Sequence, residues 1–282
     1  MNQRAANIGR AQLAPVMEVF ASIQGEGVYA GELQVFLRLA GCPMRCRYCD
    51  TPGSWDPWRD GGARLSTPDG VRREESLCSP FQATCLIAEA ESGEPRTVSV
   101  TGGEPLLWPE FLLGLPKVVG PRRLHLETAG GHPETLARVV DVFDHVSLDL
   151  KLARDLDPPV AVALAPSFDD PLETPSLSAE SVPDDEASWS EARRADLRLL
   201  KGRDAAAKIV VCGGTSIDEY EPLLDEVADF APEVPVILQP ATRIRETRAP
   251  LLEDVVELAE RARSRKLDVR LLPQIHRALN IP

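Results

Sequence analysis

Short apolar, β-branched runs alternate with amphipathic helical stretches through most of this chain, and that alternation limits its possible folds more than any other feature. Candidate strands are Gln34–Leu39, Thr97–Thr101, Arg123–Glu127, His145–Leu150, Lys208–Cys212, Val236–Gln239 and Val269–Leu272. Helical candidates fall between them at 81–92, 109–117, 133–142, 217–230 and 250–265. Parallel strands need a crossover, usually a helix, so the pattern predicts an α/β fold with a parallel sheet and helices outside. So few strands cannot complete an eight-stranded barrel, and the expectation is a partial, incomplete β/α barrel of about six strands. Such sheets bind their ligands at the C-terminal ends of the strands. Here those ends are polar. A cysteine-bearing loop follows the first strand, GGEP follows VSVT, Glu127-Thr128 closes RLHLET, Asp149 and Lys151 close VSLDLK, and Gln239 closes VILQ.

The 282 residues, 43% hydrophobic, suffice for one large domain, and residues 1–282 are expected to form one. Two segments interrupt the pattern. Pro52–Gly70 is rich in Gly, Pro, Asp and Trp, so a loop insertion is expected over 52–96. Residues 165–200, rich in Pro, Asp, Glu and Ser, read as a flexible acidic insertion running into a short helix. A net charge of −13 argues against DNA or RNA as a direct partner. The N-terminus has no apolar run of the signal-peptide kind and no stretch is long enough to span a bilayer, which predicts a cytoplasmic protein without membrane contact, its thiols reduced. Cys78, Cys85 and Cys212 are widely spaced. The first two, in a segment that reads as helical, are expected to share a face, and all three read as ordinary buried or semi-buried cysteines.

Cys42, Cys46 and Cys49 differ, lying together in LAGCPMRCRYCDTPGSWD. Thiolates so close on one loop serve one soft metal centre or each other. A [4Fe–4S] cluster on three thiolates keeps one iron open to a small molecule. A closed zinc site wants a fourth ligand. Zinc completed by a distant residue, and unrelated buried thiols, remain as alternatives. The spacing Cys-x3-Cys-x2-Cys resembles the signature of the radical S-adenosylmethionine (SAM) superfamily, whose open iron is chelated by the methionine part of SAM. Thr101-Gly-Gly-Glu-Pro105 supplies glycines that allow close approach of a ligand, and a carboxylate able to accept from an ammonium group. In isolation it also reads as a Gly-Pro turn. Beside the cysteines it is similar to the GGEP motif of that superfamily, which implies SAM contacts for Gly102, Gly103 and Glu104. Ser147, Asp149 and Lys151 alternate along one strand and so share a face. Buried polar residues need partners, and the functional reading gives them, with Gln239, to the ribose and carboxylate of SAM. The alternative is an edge strand with one solvated face.

Within the superfamily, VMEVFASIQGEGVYAGELQVFLRLAGCPMRCRYCDT resembles the 7-carboxy-7-deazaguanine synthases, and TGGEP, LET, VSLDLK, KIVV, LQP and the C-terminal QIHRALNIP extend the likeness. The resemblance implies a radical SAM carbon–nitrogen lyase of queuosine and other 7-deazapurine biosynthesis. It would contract the ring of 6-carboxy-5,6,7,8-tetrahydropterin and expel ammonia. Gln24 and Glu26, with the backbone of Ile23 and Gly25, would read the pterin edge, since an amide both donates and accepts and a carboxylate suits N–H donors. The segment is otherwise a glycine turn. Arg38 would pair with the substrate carboxylate as a fork, or else form an ordinary ion pair. Thr51 would be a Mg²⁺ ligand, although Asp50 and Thr51 also suit a turn cap. Thr101 would touch substrate, and His276 and Pro282 would close the pocket. The resemblance further implies flavodoxin or ferredoxin as electron donor and a homodimer. No general base is named by the sequence; Glu127 is a candidate at a strand end. A glycyl-radical activase would share the cysteines and GGEP but act on a protein, and QGEG, Arg38 and CDT favour the pterin. A non-catalytic iron–sulfur or zinc-binding module is the alternative from outside the enzymes.

Overall fold

The computed structural model describes residues 12–58, 61–163 and 182–281. In chain order its strands are β1 (Ala14–Ile23), β2 (Leu33–Leu39), β3 (Arg45–Cys46), β4 (Ala63–Thr67), β5 (Gly70–Glu74), β6 (Leu77–Cys78), β7 (Thr97–Gly102), β8 (Leu124–Thr128), β9 (His145–Asp149), β10 (Leu156–Asp157), β11 (Ala205–Val211), β12 (Val236–Pro240) and β13 (Val269–Leu271). The helices are α1 (Pro80–Ala90), α2 (Pro109–Gly114), α3 (Pro133–Val139), α4 (Glu186–Leu200), α5 (Glu221–Phe230), α6 (Leu252–Ser264) and α7 (Ile275–Leu279).

Eleven strands form one open sheet in the order β13-β12-β11-β9-β8-β7-β2-β1-β4-β5, with β6 paired to β1. The run from β2 to β13 is parallel throughout. β1 then pairs antiparallel with β2, and the β4–β5 hairpin extends that edge. The parallel α/β partial barrel is therefore present, but larger than about six strands. The sequence reading missed β1, β4 and β5, although β1 and β4 place Ala14, Val16, Val19, Ala63 and Leu65 in the core. β5 carries Arg72 and Arg73 and is almost wholly exposed, as suits an edge strand that resists further pairing. The expected loop insertion over 52–96 is corrected accordingly: it holds β4, β5 and β6, while α1 is the helix expected at 81–92.

Strand alternation sorts the parallel region into two faces. Val35, Leu37, Val98, Val100, Leu124, Leu126, Val146, Leu148, Ala207, Ile209, Val236 and Leu238 are buried in the apolar cluster shared with the helices. Many of their neighbours on the other face are polar and stand opposite one another across the ladder: Arg38 with Thr101, Ser99 with His125, Glu127 with Ser147, and Asp149 with Lys208. The first set drives folding and the second is free for chemistry.

The helix expected at the end of the 165–200 insertion is present, and it is longer than the short one the sequence suggested. Residues 186–200 form α4, capped by a reciprocal Asp185–Ser188 pair and burying Trp189, Arg193, Asp196, Leu197 and Leu200. Residues 165–181 lie outside the described residues. Cys78 is a buried residue of β6 and Cys85 an exposed residue of α1, so the two do not share a face and Cys85 is not buried. Among the described residues, no helix is long and apolar enough to cross a membrane.

Candidate active site

The polar face of the sheet lines a cavity at the C-terminal ends of the strands. Cys42, Cys46 and Cys49 are all free thiols on its wall, Cys42 buried and the others half-buried. Their loop is fastened by backbone hydrogen bonds from Gly41 N–H to Ser54 O (2.7 Å) and from Cys42 N–H to Trp55 O (3.2 Å). The GGEP loop locks onto it: Gly103 N–H donates to Leu39 O (3.0 Å) and Glu104 N–H to Gly41 O (2.8 Å). The approach is so close that a Cβ on Gly103 would fall 2.2 Å from Gly41 O, and Gly102 has φ +144°. Only glycine fits both constraints.

Burial pushes the Cys42 thiol far up, helped by the Cys46 charge, and raises Cys46 to about 11. Cys49 is raised by the same burial. Three such thiols become thiolates only against a cationic metal centre, and none of Cys78, Cys85 and Cys212 lines the cavity to supply a fourth thiolate. The donor set fits a three-thiolate iron–sulfur cluster. Gln239 adds a second sign of a polar ligand. It is 3% exposed, lines the cavity, and its Oε1 has no partner among the described residues.

Most of the residues singled out in the sequence meet here. Ile23, Gln24, Gly25, Glu26, Arg38, Thr51, Thr101, Gly102, Gly103, Glu127, Asp149, Lys151, Gln239 and His276 line the same cavity as the cysteines. Pro282 lies outside the described residues. Two residues belong elsewhere. Glu104 is fully buried, and its carboxylate accepts from Thr128 Oγ1 (2.7 Å), Ala129 N–H (2.8 Å) and Leu106 N–H (3.0 Å). It braces the end of β8. Ser147 sits deeper, its Oγ 2.9 Å from His125 Nε2 and 3.2 Å from His145 Nε2. Alternation places it on the correct face but too far from the strand end.

The functional side chains are tightly held. Gln24 is 2% exposed and is committed on both sides: its Nε2 donates to Glu127 Oε1 (2.8 Å) and its Oε1 accepts from Glu26 N–H (3.1 Å). It therefore shapes the loop more than it reads a ligand edge. Glu127 also accepts from Ser99 Oγ (3.1 Å) and Thr101 Oγ1 (2.7 Å). Arg38 Nε donates to Glu18 Oε1 (2.7 Å), the ordinary ion pair the sequence allowed, and its terminal nitrogens have no hydrogen-bond partner among the described residues. Thr51 Oγ1 donates to Asp50 Oδ1 (2.9 Å). Burial would raise the Asp50 carboxyl, but hydrogen bonds from His276 and Thr51 and the nearby Arg38 and Arg277 charges hold it well below the usual carboxylate range. Ile275 N–H donates to Gly25 O (2.9 Å), so the C-terminal segment covers the 24–27 loop, with His276 packed against Gly25.

Sequence reasoning missed Lys208 and Gln274, both on the cavity wall. Lys208 Nζ lies 2.5 Å from Glu26 Oε2 and 3.0 Å from Asp149 Oδ1. Burial opposes its charge, yet the Asp149 and Glu26 carboxylates raise it far above an ordinary lysine. The available signal was a lysine at an inward position of an otherwise apolar strand.

Comparison with known proteins agrees with this geometry. The Radical SAM superfamily model matches residues 37–176. Three proteins named 7-carboxy-7-deazaguanine synthase align over almost their whole length. That of Methanothermobacter thermautotrophicus is 31% identical over 95% of this chain and 98% of its own. That of Methanopyrus kandleri is 32% identical over 96% and 97%. The Geobacter sulfurreducens protein is 30% identical over 94% and 96%. Among solved structures, QueE from Escherichia coli superposes with a TM-score of 0.54 at 20% identity, covering 94% of this chain and 97% of that one, which shows a shared fold. With that identity sustained across nearly all of each relative, the chain belongs to the 7-carboxy-7-deazaguanine synthase family of radical SAM enzymes.

Proposed function

We propose that this protein converts 6-carboxy-5,6,7,8-tetrahydropterin to 7-carboxy-7-deazaguanine with loss of ammonia, as a carbon–nitrogen lyase of 7-deazapurine (queuosine) biosynthesis. The observation that carries this reading is a single cavity lined both by three free thiols and by Glu26, Arg38 and His276. Cys42, Cys46 and Cys49 would hold a [4Fe–4S] cluster, and Gly102, Gly103, Asp149, Lys151 and Gln239 would hold SAM. When bound, these groups would supply radical chemistry directed at C6 of the pterin. The protein's own work is positioning and exclusion of water. Glu26 offers acceptors to the pterin N–H groups. Arg38 has its terminal nitrogens free for the substrate carboxylate while Glu18 fixes its Nε edge. Thr101 and Glu127 form the wall beneath, and His276 closes it.

Mg²⁺ is assigned to Thr51. Support comes from Glu26, Asp50 and His276, whose ligand atoms lie within 4.8 Å of one another beside it. Flavodoxin or ferredoxin as reductant, a homodimer of single-domain chains and a cytoplasmic location complete the reading. The test uses anaerobically reconstituted wild type, Cys46→Ala and Arg38→Ala, with ammonia release and iron content as readouts. Cys46→Ala should lack the cluster and all turnover. Arg38→Ala should keep its iron and lose roughly 30- to 1,000-fold in turnover, as for a truncated charge pair. Full activity of Arg38→Ala overturns its role. SAM cleavage by wild type without ammonia release would favour an activase of protein substrates.

A further inference from the structure

The charged groups on the cavity wall form one connected row. Gln274 Nε2 donates to Glu26 Oε1 at 2.7 Å, and Glu26 Oε2 accepts from Lys208 Nζ at 2.5 Å. The same ammonium lies 3.0 Å from Asp149 Oδ1. Asp149 Oδ2 in turn accepts from Lys151 Nζ at 2.9 Å, and that ammonium sits 3.4 Å from the Tyr48 hydroxyl. The row thus runs from the C-terminal segment carrying His276 to the cysteine loop, where Tyr48 stands between Cys46 and Cys49.

Lys208 joins the two halves. Glu26, held by Gln274, belongs to the end assigned to the pterin, and Asp149 and Lys151 to the end assigned to SAM, so the proposal rests on that functional reading. The Lys208 ammonium is divided between two carboxylates on separate segments. Its contact with Asp149 is dictated by the sheet, because the two residues are direct partners in the β9–β11 register. Its contact with Glu26 is not. Glu26 sits on a loop held from the other side by the C-terminal segment through Ile275 and Gly25.

We propose that Lys208 is a positioning residue that couples the two small-molecule subsites, so that a ligand ordering Glu26 also orders Asp149 and tightens binding at the SAM end, and the reverse. Such coupling is reciprocal: each ligand must tighten the other by the same factor. No chemistry is required of the lysine itself.

The test is equilibrium dialysis on the full-length, cluster-loaded chain without reductant, so that nothing turns over. SAM affinity is measured with and without 6-carboxytetrahydropterin, and pterin affinity with and without SAM. For wild type we expect mutual tightening on the order of tenfold, inside the usual 5- to 150-fold range of coupling. Lys208→Met should bring the factor close to one, and Lys208→Arg should restore part of it. Should Lys208→Met fail to fold, Glu26→Gln, which leaves Lys208 on Asp149, should show the same loss of coupling. Retention of the wild-type factor in Lys208→Met overturns the proposal, as does a wild type that binds both ligands independently. A wild type that binds SAM but not the pterin overturns the substrate reading and the coupling with it.

Discussion

Arg193 is 1% exposed on α4 and makes four hydrogen bonds. Two go to the buried Glu226 carboxylate, Nε to Oε2 (2.6 Å) and Nη2 to Oε1 (3.1 Å). Nη1 donates to the Lys151 carbonyl (2.6 Å) and Nη2 also reaches Glu186 Oε1 (2.7 Å). The helix is thereby clamped to the strand end that carries Asp149 and Lys151. Arg193→Met keeps most of the volume, so the loss is electrostatic. Glu226 would keep a bond from Ser190 Oγ (2.6 Å) and a half-exposed Arg194 at 3.6 Å, too long to hydrogen-bond. Removing one partner of a buried pair costs about 3–5 kcal/mol. The stranded Lys151 carbonyl adds to this, about 1–3 kcal/mol taken alone, but not independently. A total of about 4 kcal/mol is a large share of the roughly 5–15 kcal/mol that holds a domain folded. Urea unfolding should show a lower midpoint at unchanged slope. Arg193→Met with Glu226→Leu should recover to within about 1–2 kcal/mol of wild type, because an apolar pair of similar volume replaces a buried ion pair at little cost. A loss below about 1 kcal/mol in the single variant, or no recovery in the double, would refute the reasoning.

Gly103→Ala should unseat the cysteine loop, since its Cβ would meet Gly41 O at 2.2 Å and neither backbone can yield alone. Iron content after reconstitution should fall together with the melting temperature. His132, 4% exposed with its Nε2 unpartnered among the described residues, is lowered by burial from 6.5 to about 4. The unfolded chain therefore takes the proton first. The stability this histidine contributes is present above pH 6.5 and is lost as pH falls toward 4. Between pH 7.5 and 5 the loss is about 2 kcal/mol, and His132→Gln should flatten that part of the stability–pH curve relative to wild type. An unchanged curve would mean that His132 is solvated.

The parallel core was legible because its strands carry apolar residues on one face and several of them, such as β8 and β9, end in polar side chains. β5 was hidden for the opposite reason: an exposed edge strand needs no apolar face, and the Pro68-Asp69 turn that joins it to β4 looks like loop. The length and burial of α4 were hidden by composition. The helix buries Arg193 and Asp196, charged residues that read as solvent-facing until their surroundings are known. At the site, alternation told which face a residue occupies but not its depth or its partner. Hence the sequence did not show that Ser147 lies between two histidines or that Glu104 accepts from three protein donors. Lys208 escaped because its partners, Glu26 and Asp149, are far from it in sequence and meet it only through the sheet.

The most direct test is to incubate the anaerobically reconstituted protein with SAM, a reductant, Mg²⁺ and 6-carboxytetrahydropterin, and to look for 7-carboxy-7-deazaguanine by mass spectrometry. Formation of that product, dependent on all of the first three cysteines, is the expected result. Cleavage of SAM without the product, in protein of confirmed iron and sulfide content, would contradict the assignment of the pterin to this cavity.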